Sequence, residues 1–137
     1  MAKIEAIRCR TSRPAEENGR LVLVVDDEES IRCVAWEILR YLGYGVETVA
    51  SGQEAIERIE AGLKPDLVLL DMIMPGLGGV ETFRRLREME PTVRVVVATG
   101  FTDRTSADAL AKEGVNGVLG KPFGIEALSR KLAEVFA

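Results

Sequence analysis

Residues 67–76 read LVLLDMIMPG, an unbroken aliphatic run that stops at Asp71 and a Pro75-Gly76 turn. Such a run is typical of a strand buried on both faces of a parallel sheet. Pro and Gly end the strand, so Asp71 is predicted to lie at its carboxyl end. Ligands of open α/β sheets bind beyond these ends, which makes Asp71 a candidate functional residue. The alternative is an Asp that only forms the turn.

The rest of the chain alternates between strand and helix patterns. Strands are predicted at 21–25, 46–49, 93–98 and 115–119, and amphipathic helices at about 31–42, 52–61, 80–89, 102–113 and 125–136. Five βα units predict an α/β domain whose parallel sheet is covered by helices on both faces. Residues 1–20 contain Pro14 and Asn18-Gly19 and are predicted to be an N-terminal arm or linker, whereas residues 21–137 form one domain.

Composition argues against several functional classes. The net charge is -4, and no basic stretch interleaved with aromatic residues suggests nucleic-acid binding. No apolar segment is long enough to span a bilayer, and we expect a cytoplasmic chain without membrane contact. Cys9 and Cys33 are too few for a metal cluster and are expected to be thiols. The chain has no His, so carboxylates, hydroxyls and Lys must provide its chemistry.

Four predicted strands end on polar side chains, namely Asp26 and Asp27, Asp71, Thr99, and Lys121. In a parallel sheet these ends share one edge, where paired carboxylates at ~4 Å repel by about 4 kcal/mol at an effective dielectric near 20. A hard cation such as Mg²⁺ relieves this repulsion and usually works with a phosphoryl group. Lys121 adds a second positive charge, Thr99 offers a hydroxyl to an oxyanion, and Asp71 is left as a nucleophile.

Each of these residues also has a simpler interpretation. Asp26 is suited to a helix N-terminus, Thr99 has good strand propensity, and Lys121 fits a solvated surface. Their occurrence together and in this order favours a shared site.

The ordered motifs resemble the receiver domains of two-component response regulators over about residues 21–136. They are Asp26-Asp27, Asp71-x-x-Met74-Pro75-x-x-x-Gly79, Thr99, and Lys121-Pro122-Phe123. The resemblance implies a flavodoxin-like, doubly wound fold with five parallel strands in the order 2-1-3-4-5. It also implies that Asp71 accepts a phosphoryl group from a phosphohistidine on a sensor histidine kinase or a histidine phosphotransfer protein.

The same resemblance implies a role for each site residue. Asp27, Asp71 and the backbone carbonyl of Ile73 would bind Mg²⁺ directly, and Asp26 would act through water. Thr99 and Lys121 would contact the phosphoryl oxygens. The Lys121–Pro122 peptide is expected to be cis.

The sequence departs from the family pattern at positions that control switching and lifetime. Val118 stands where receivers usually carry a Tyr or Phe that switches rotamer together with Thr99, so aromatic switching is not expected. Ile73 and Phe101 follow Asp71 and Thr99 by two residues and offer no hydrogen bond to an attacking water. We therefore predict slow hydrolysis of the phosphorylated form.

The predicted function is phosphoryl acceptance and signal relay, not enzymatic turnover, with only self-catalysed phosphotransfer and slow self-dephosphorylation. We expect a monomer or weak dimer, either a free-standing regulator or a receiver excised from a hybrid kinase. One alternative is a Mg²⁺-dependent phosphatase of the haloacid dehalogenase type, whose Asp-x-Asp differs from the adjacent Asp26-Asp27. Another is a degenerate receiver that only binds proteins.

Trp36 lies off the apolar stripe of its helix. We interpret it as a side chain packed at the boundary of the core, and the alternative is a surface where a kinase docks.

Overall fold

The structure is a computed structural model that describes residues 19–100 and 104–137, with only the backbone described for 104–107. The strands are β1 (Leu21–Val25), β2 (Gly45–Val49), β3 (Leu67–Asp71), β4 (Arg94–Thr99) and β5 (Gly117–Gly120). The helices are α1 (Glu29–Tyr41), α2 (Gly52–Glu60), α3 (Gly79–Met89), α4 (Arg104–Lys112) and α5 (Ile125–Phe136).

The strands form one parallel sheet in the order β2-β1-β3-β4-β5. Asp71 pairs with Ala98 and Thr99 with Gly120, so β3, β4 and β5 end nearly level with one another. This topology confirms the predicted fold class. It also brings the polar residues that follow the strands to one edge of the sheet.

The central strand β3 contributes side chains to two apolar layers, one on each face of the sheet, which explains its continuous hydrophobic sequence. Val68 and Leu70 face the layer formed with α2, α3 and Leu110 of α4. Leu67 and Leu69 face the opposite layer, formed with α1 and α5. Both faces of β3 are therefore buried, as the aliphatic run predicts.

Trp36 belongs to the layer between α1 and the sheet and is only 6% exposed. Its interpretation as a packed side chain is confirmed, and the suggestion that it forms a docking surface is wrong. An indole that is almost wholly buried cannot supply contact area to a partner without unpacking the helix.

Three local features differ from the sequence-based expectation or fall partly outside the described residues. β5 begins at Gly117, two residues later than predicted. Asn116 N donates to Val95 O at 2.8 Å, but Val95 N donates to the side-chain Oδ1 of Asn116 at 2.8 Å and not to a backbone carbonyl, so the regular strand pairing starts at the next residue. α4 begins at Arg104, and the predicted start at Thr102 lies outside the described residues. Cys33 is disulfide-bonded, contrary to the expected thiol, and Cys9 lies outside the described residues.

Two backbone features mark the ends of elements, and the second confirms an expectation. Gly43 follows α1 with a φ of 97°, the left-handed conformation in which a glycine commonly ends a helix. The Lys121–Pro122 peptide after β5 is cis.

In the part of the chain that the structure describes, no helix combines the length and apolar character needed to cross a lipid bilayer.

Candidate functional site at the carboxyl edge of the sheet

Asp71 is a buried carboxylate at the end of β3, with only 5% of the residue exposed. Burial raises its pKa above the ordinary range, a hydrogen bond from Lys121 lowers the pKa, and the nearby Asp26 charge raises it again, for a net rise. The backbone N–H of Ile73 lies near the carboxylate and also lowers its pKa. Lys121 therefore holds Asp71 in a setting that penalises the charge of the carboxylate.

The end of β1 presents Asp26 and Asp27 beside Asp71. Asp26 is buried, and its Oδ1 accepts a hydrogen bond from Glu28 N at 2.9 Å, which shapes the turn into α1. Its other carboxylate oxygen lies 3.1 Å from Lys121 Nζ. Asp27 is exposed to solvent. One acid of this pair thus faces the interior of the site and the other faces its opening.

Carboxylate oxygens of Asp26, Asp27 and Asp71 all lie within 4.8 Å of one another. This spacing confirms that the sheet brings the three predicted acids together. An all-oxygen donor set with an exposed member suits a hard cation that keeps part of its water shell, and Mg²⁺ is such a cation. These residues fit the predicted metal, and the exposed Asp27 gives the ion a route from solvent.

Lys121 joins the two buried acids of the site. Its Nζ lies 3.0 Å from Asp71 Oδ1 and 3.1 Å from Asp26 Oδ2. Burial lowers the Lys121 pKa, but hydrogen bonds from the ammonium to Asp71 and Asp26 outweigh this, and the net pKa is raised. The Lys121 backbone N–H donates to Thr99 O at 2.9 Å, which fixes the end of β5 against β4.

Thr99 is buried at the end of β4, and its hydroxyl donates to Gly100 O at 3.2 Å. The structure thus places Thr99 at the predicted edge of the sheet, where its hydroxyl donates a hydrogen bond to a backbone carbonyl. Val118 is half-buried and packs against the core layer that contains α3 and Leu110. Phe101, the second predicted water-access residue, lies outside the described residues, whereas Ile73 is 62% exposed.

Sequence reasoning missed a basic residue that supports the acids. Arg32 Nη1 donates to the backbone carbonyl of Asp26 at 2.7 Å and so ties the first turns of α1 to the end of β1. A basic residue in the first turn of the helix that follows an Asp-Asp pair is the sequence signal that could have drawn attention to it. Its charge-assisted hydrogen bond helps hold Asp26 in place.

With this geometry in view, comparisons with known proteins identify the family. The family model described as the response regulator receiver domain matches residues 22–133. The chain belongs to this family. It is accordingly a receiver domain, which serves as a phosphoacceptor in two-component signalling.

Individual relatives agree with this assignment. The receiver is 30% identical to the chemotaxis protein CheY of Thermotoga maritima over 117 residues, 82% of this chain and 97% of that protein. It is 33% identical to the sensor kinase CckA of Brucella abortus over 115 residues, 83% of this chain but 12% of the kinase. A solved receiver domain protein from Clostridium thermocellum superposes with a TM-score of 0.80 at 30% identity, covering 85% of this chain and 93% of that one.

Proposed function

We propose that Asp71 is the phosphoacceptor and that Asp26, Asp27 and Asp71, with the Ile73 carbonyl, hold Mg²⁺. The observation that carries this proposal is the position of Lys121, which lies within 3.1 Å of both Asp26 and Asp71 beside the three-carboxylate cluster. A buried cation next to a nucleophilic carboxylate is suited to a transferred phosphoryl group.

In the proposed reaction, one carboxylate oxygen of Asp71 attacks the phosphorus of a phosphohistidine. The O–P bond forms as the N–P bond breaks, and the donor's imidazole leaves with the electron pair. The product is an acyl phosphate on Asp71. The ion, when bound, neutralises charge on the phosphoryl oxygens.

The surrounding residues then have distinct tasks in this proposal. Lys121 exchanges its hydrogen bond with Asp71 for one with a phosphoryl oxygen, and remains paired with Asp26. Thr99 turns its hydroxyl from Gly100 O to the phosphoryl group. Asp26 acts on the ion through water, and the Ile73 N–H keeps the Asp71 carboxylate oriented before attack.

The proposed donor is a sensor histidine kinase or a histidine phosphotransfer protein in the cytoplasm, with no part for nucleic acid or membrane. Residues 1–20 would be an arm or linker, and 21–137 the receiver, acting as a monomer or weak dimer. A free-standing regulator and a piece of a hybrid kinase both fit this proposal, because the relatives include a protein covered almost entirely and a kinase of which the chain spans 12%.

Incubation with acetyl phosphate and Mg²⁺ tests this function. We expect at most one phosphate bound per chain, no label when Mg²⁺ is chelated, and no sustained release of phosphate from phosphomonoesters. Sustained turnover would contradict the proposal in favour of a phosphatase of the haloacid dehalogenase type. Absence of label with every donor would instead indicate a degenerate receiver that only binds proteins.

A further inference from the structure

The first turn of α3 lies directly against the backbone of the phosphoacceptor strand. Gly79 N donates to Met72 O at 3.1 Å. A Cβ placed on Gly79 would lie 2.7 Å from Asp71 O and 2.8 Å from Met72 Cα. Because these atoms belong to the backbone, no side-chain rotation could relieve the overlap. Glycine is therefore the residue that permits this approach.

This contact helps fix the backbone of Met72, the residue that follows Asp71, from two directions. Met72 N donates to Ala98 O of β4 at 3.1 Å, and Met72 O accepts from Gly79 on the opposite side. The next residue is Ile73, whose N–H lies near the Asp71 carboxylate and lowers its pKa. The position of Gly79 thus limits how the Met72–Ile73 peptide can rotate. That peptide contains the Ile73 N–H, and the Ile73 carbonyl proposed for the metal belongs to the next peptide along the chain.

The start of α3 is itself held in place by a buried threonine. Thr82 is fully buried, and its Oγ1 donates to Gly78 O at 2.8 Å, within the first turn. The first residue of α2, Gly52, packs against the other side of Thr82. A Cβ on Gly52 would overlap Thr82 Oγ1, so this close packing requires glycine. The first turn of α3 is therefore confined between β3 and α2.

We propose that Gly79 is a positioning residue for the phosphoacceptor site. Its close contact with the Asp71–Met72 backbone holds the Met72–Ile73 peptide so that the Ile73 N–H lies near the Asp71 carboxylate. The same contact sets the position of Ile73, whose carbonyl is proposed to bind the ion. For the metal, this inference rests on the proposed function. For the Ile73 N–H, it rests only on contacts within the protein.

The neighbouring Gly78 provides a matched control. It has a φ of -75°, and a Cβ added there would meet nothing within 4 Å. Gly79→Ala and Gly78→Ala therefore add the same methyl group one residue apart, and only the first presses on Asp71 and Met72. Leu128→Ala, in the apolar layer on the other face of the sheet, serves as a variant destabilised without contact to this loop.

Two readouts are measured on each folded variant. The first is the amide chemical shift and hydrogen exchange of Ile73 in metal-free protein, and we expect Gly79→Ala to shift this resonance and to speed the exchange of this N–H. The second is the Mg²⁺ dissociation constant, which should rise about 10- to 100-fold, as is typical when the support of a metal ligand is removed. Gly78→Ala and Leu128→Ala should retain the wild-type values of both.

The proposal is overturned if Gly79→Ala keeps the wild-type Ile73 amide and Mg²⁺ affinity, or if Leu128→Ala loses them equally. If Gly79→Ala does not fold, Thr82→Val and Thr82→Ser replace it, because only the serine keeps the hydroxyl bond to Gly78. Loss of Ile73 protection in the valine variant and its retention in the serine variant support the proposal, and equal protection overturns it. Wild-type protein that binds no Mg²⁺ would contradict the proposed function, while the Ile73 amide would still test the positioning.

Discussion

Lys121 Nζ donates a hydrogen bond to Asp71 Oδ1 at 3.0 Å and so links the end of β5 to the end of β3. Even with this cationic partner, burial keeps the pKa of Asp71 above its ordinary range. The charged form of the proposed nucleophile therefore weakens the metal-free fold, although phosphoryl transfer needs that form.

This pKa shift predicts how stability depends on pH in the presence of a chelator. Between the ordinary pKa and the raised one, native Asp71 holds a proton that the unfolded chain has released. The free energy of unfolding should therefore fall as pH rises through that window. Asp71→Asn removes this dependence, so its stability advantage over wild type should grow from about pH 4 upwards and then level off. Urea unfolding at a series of pH values measures it, and a difference that is constant with pH would refute the prediction.

Mg²⁺ should stabilise the folded protein, because binding relieves repulsion among Asp26, Asp27 and Asp71 and acts on the native state alone. A tenfold excess over the dissociation constant contributes about 1.4 kcal/mol. That corresponds to a rise of roughly 5 °C in the thermal midpoint. Asp27→Asn should reduce the rise, whereas Glu60→Gln, which removes an exposed acid at the end of α2, should retain it. A full rise in Asp27→Asn would place the ion elsewhere.

The lifetime of the phosphorylated form should depend on Ile73, whose aliphatic side chain is 62% exposed two residues after Asp71. It offers no hydrogen bond to an attacking water. Positioning by one polar group is commonly worth 10²- to 10⁴-fold, so even part of this effect is measurable. Ile73→Asn with Phe101→Glu should shorten the lifetime, followed as decay after removal of the donor at constant Mg²⁺. Ile125→Asn, at another exposed isoleucine, is the control. An unchanged lifetime in the double variant would show that these residues do not control water access.

Activation should alter α4 chiefly near its start. Leu110 is the only buried residue among the described side chains of this helix, so local opening should cost little. The turn that follows α4 is held in place, because Arg84 of α3 donates to the Glu113 carboxylate from Nη2 at 2.8 Å and from Nε at 3.1 Å. Hydrogen exchange with and without beryllofluoride should differ most at the beginning of Arg104–Lys112.

Two adjacent arginines allow the role of the Arg84–Glu113 salt bridge to be tested. Arg84→Gln should spread the exchange difference toward Glu113, while Arg85→Gln should not, since Arg85 pairs with Glu81 within α3. Equal exchange along α4 in the two ligand states would contradict the activation model, and identical profiles for the two variants would contradict the role of Arg84.

Much of the fold follows from local sequence patterns. The run at 67–71 predicted a doubly covered strand, and β3 indeed has buried residues on both faces. The boundary of β5 was missed because the Asn116 side chain replaces a strand hydrogen bond, which hydrophobic periodicity does not register. The strand order came from family resemblance and not from the residues themselves.

The sequence predicted the site residues that lie at the ends of strands. It did not predict the residues of other elements that hold those side chains and their backbone in position. Asp26, Asp27 and Asp71 meet as expected. The roles of Arg32 and Gly79 depend on backbone atoms of other elements, which only the folded chain brings near. The Arg84–Glu113 pair joins α3 to the turn that follows α4 and likewise could not be predicted from the sequence.

The most direct test of the account is chemical trapping of the phosphorylated residue. Protein labelled with acetyl phosphate and Mg²⁺ is reduced with borohydride, which converts an aspartyl phosphate to homoserine, and the product is located by mass spectrometry. We predict homoserine at position 71 in wild type and none in Asp71→Asn. Homoserine at position 26 or 27 in wild type, or labelling of Asp71→Asn at normal stoichiometry, would contradict the assignment of Asp71 as the phosphoacceptor.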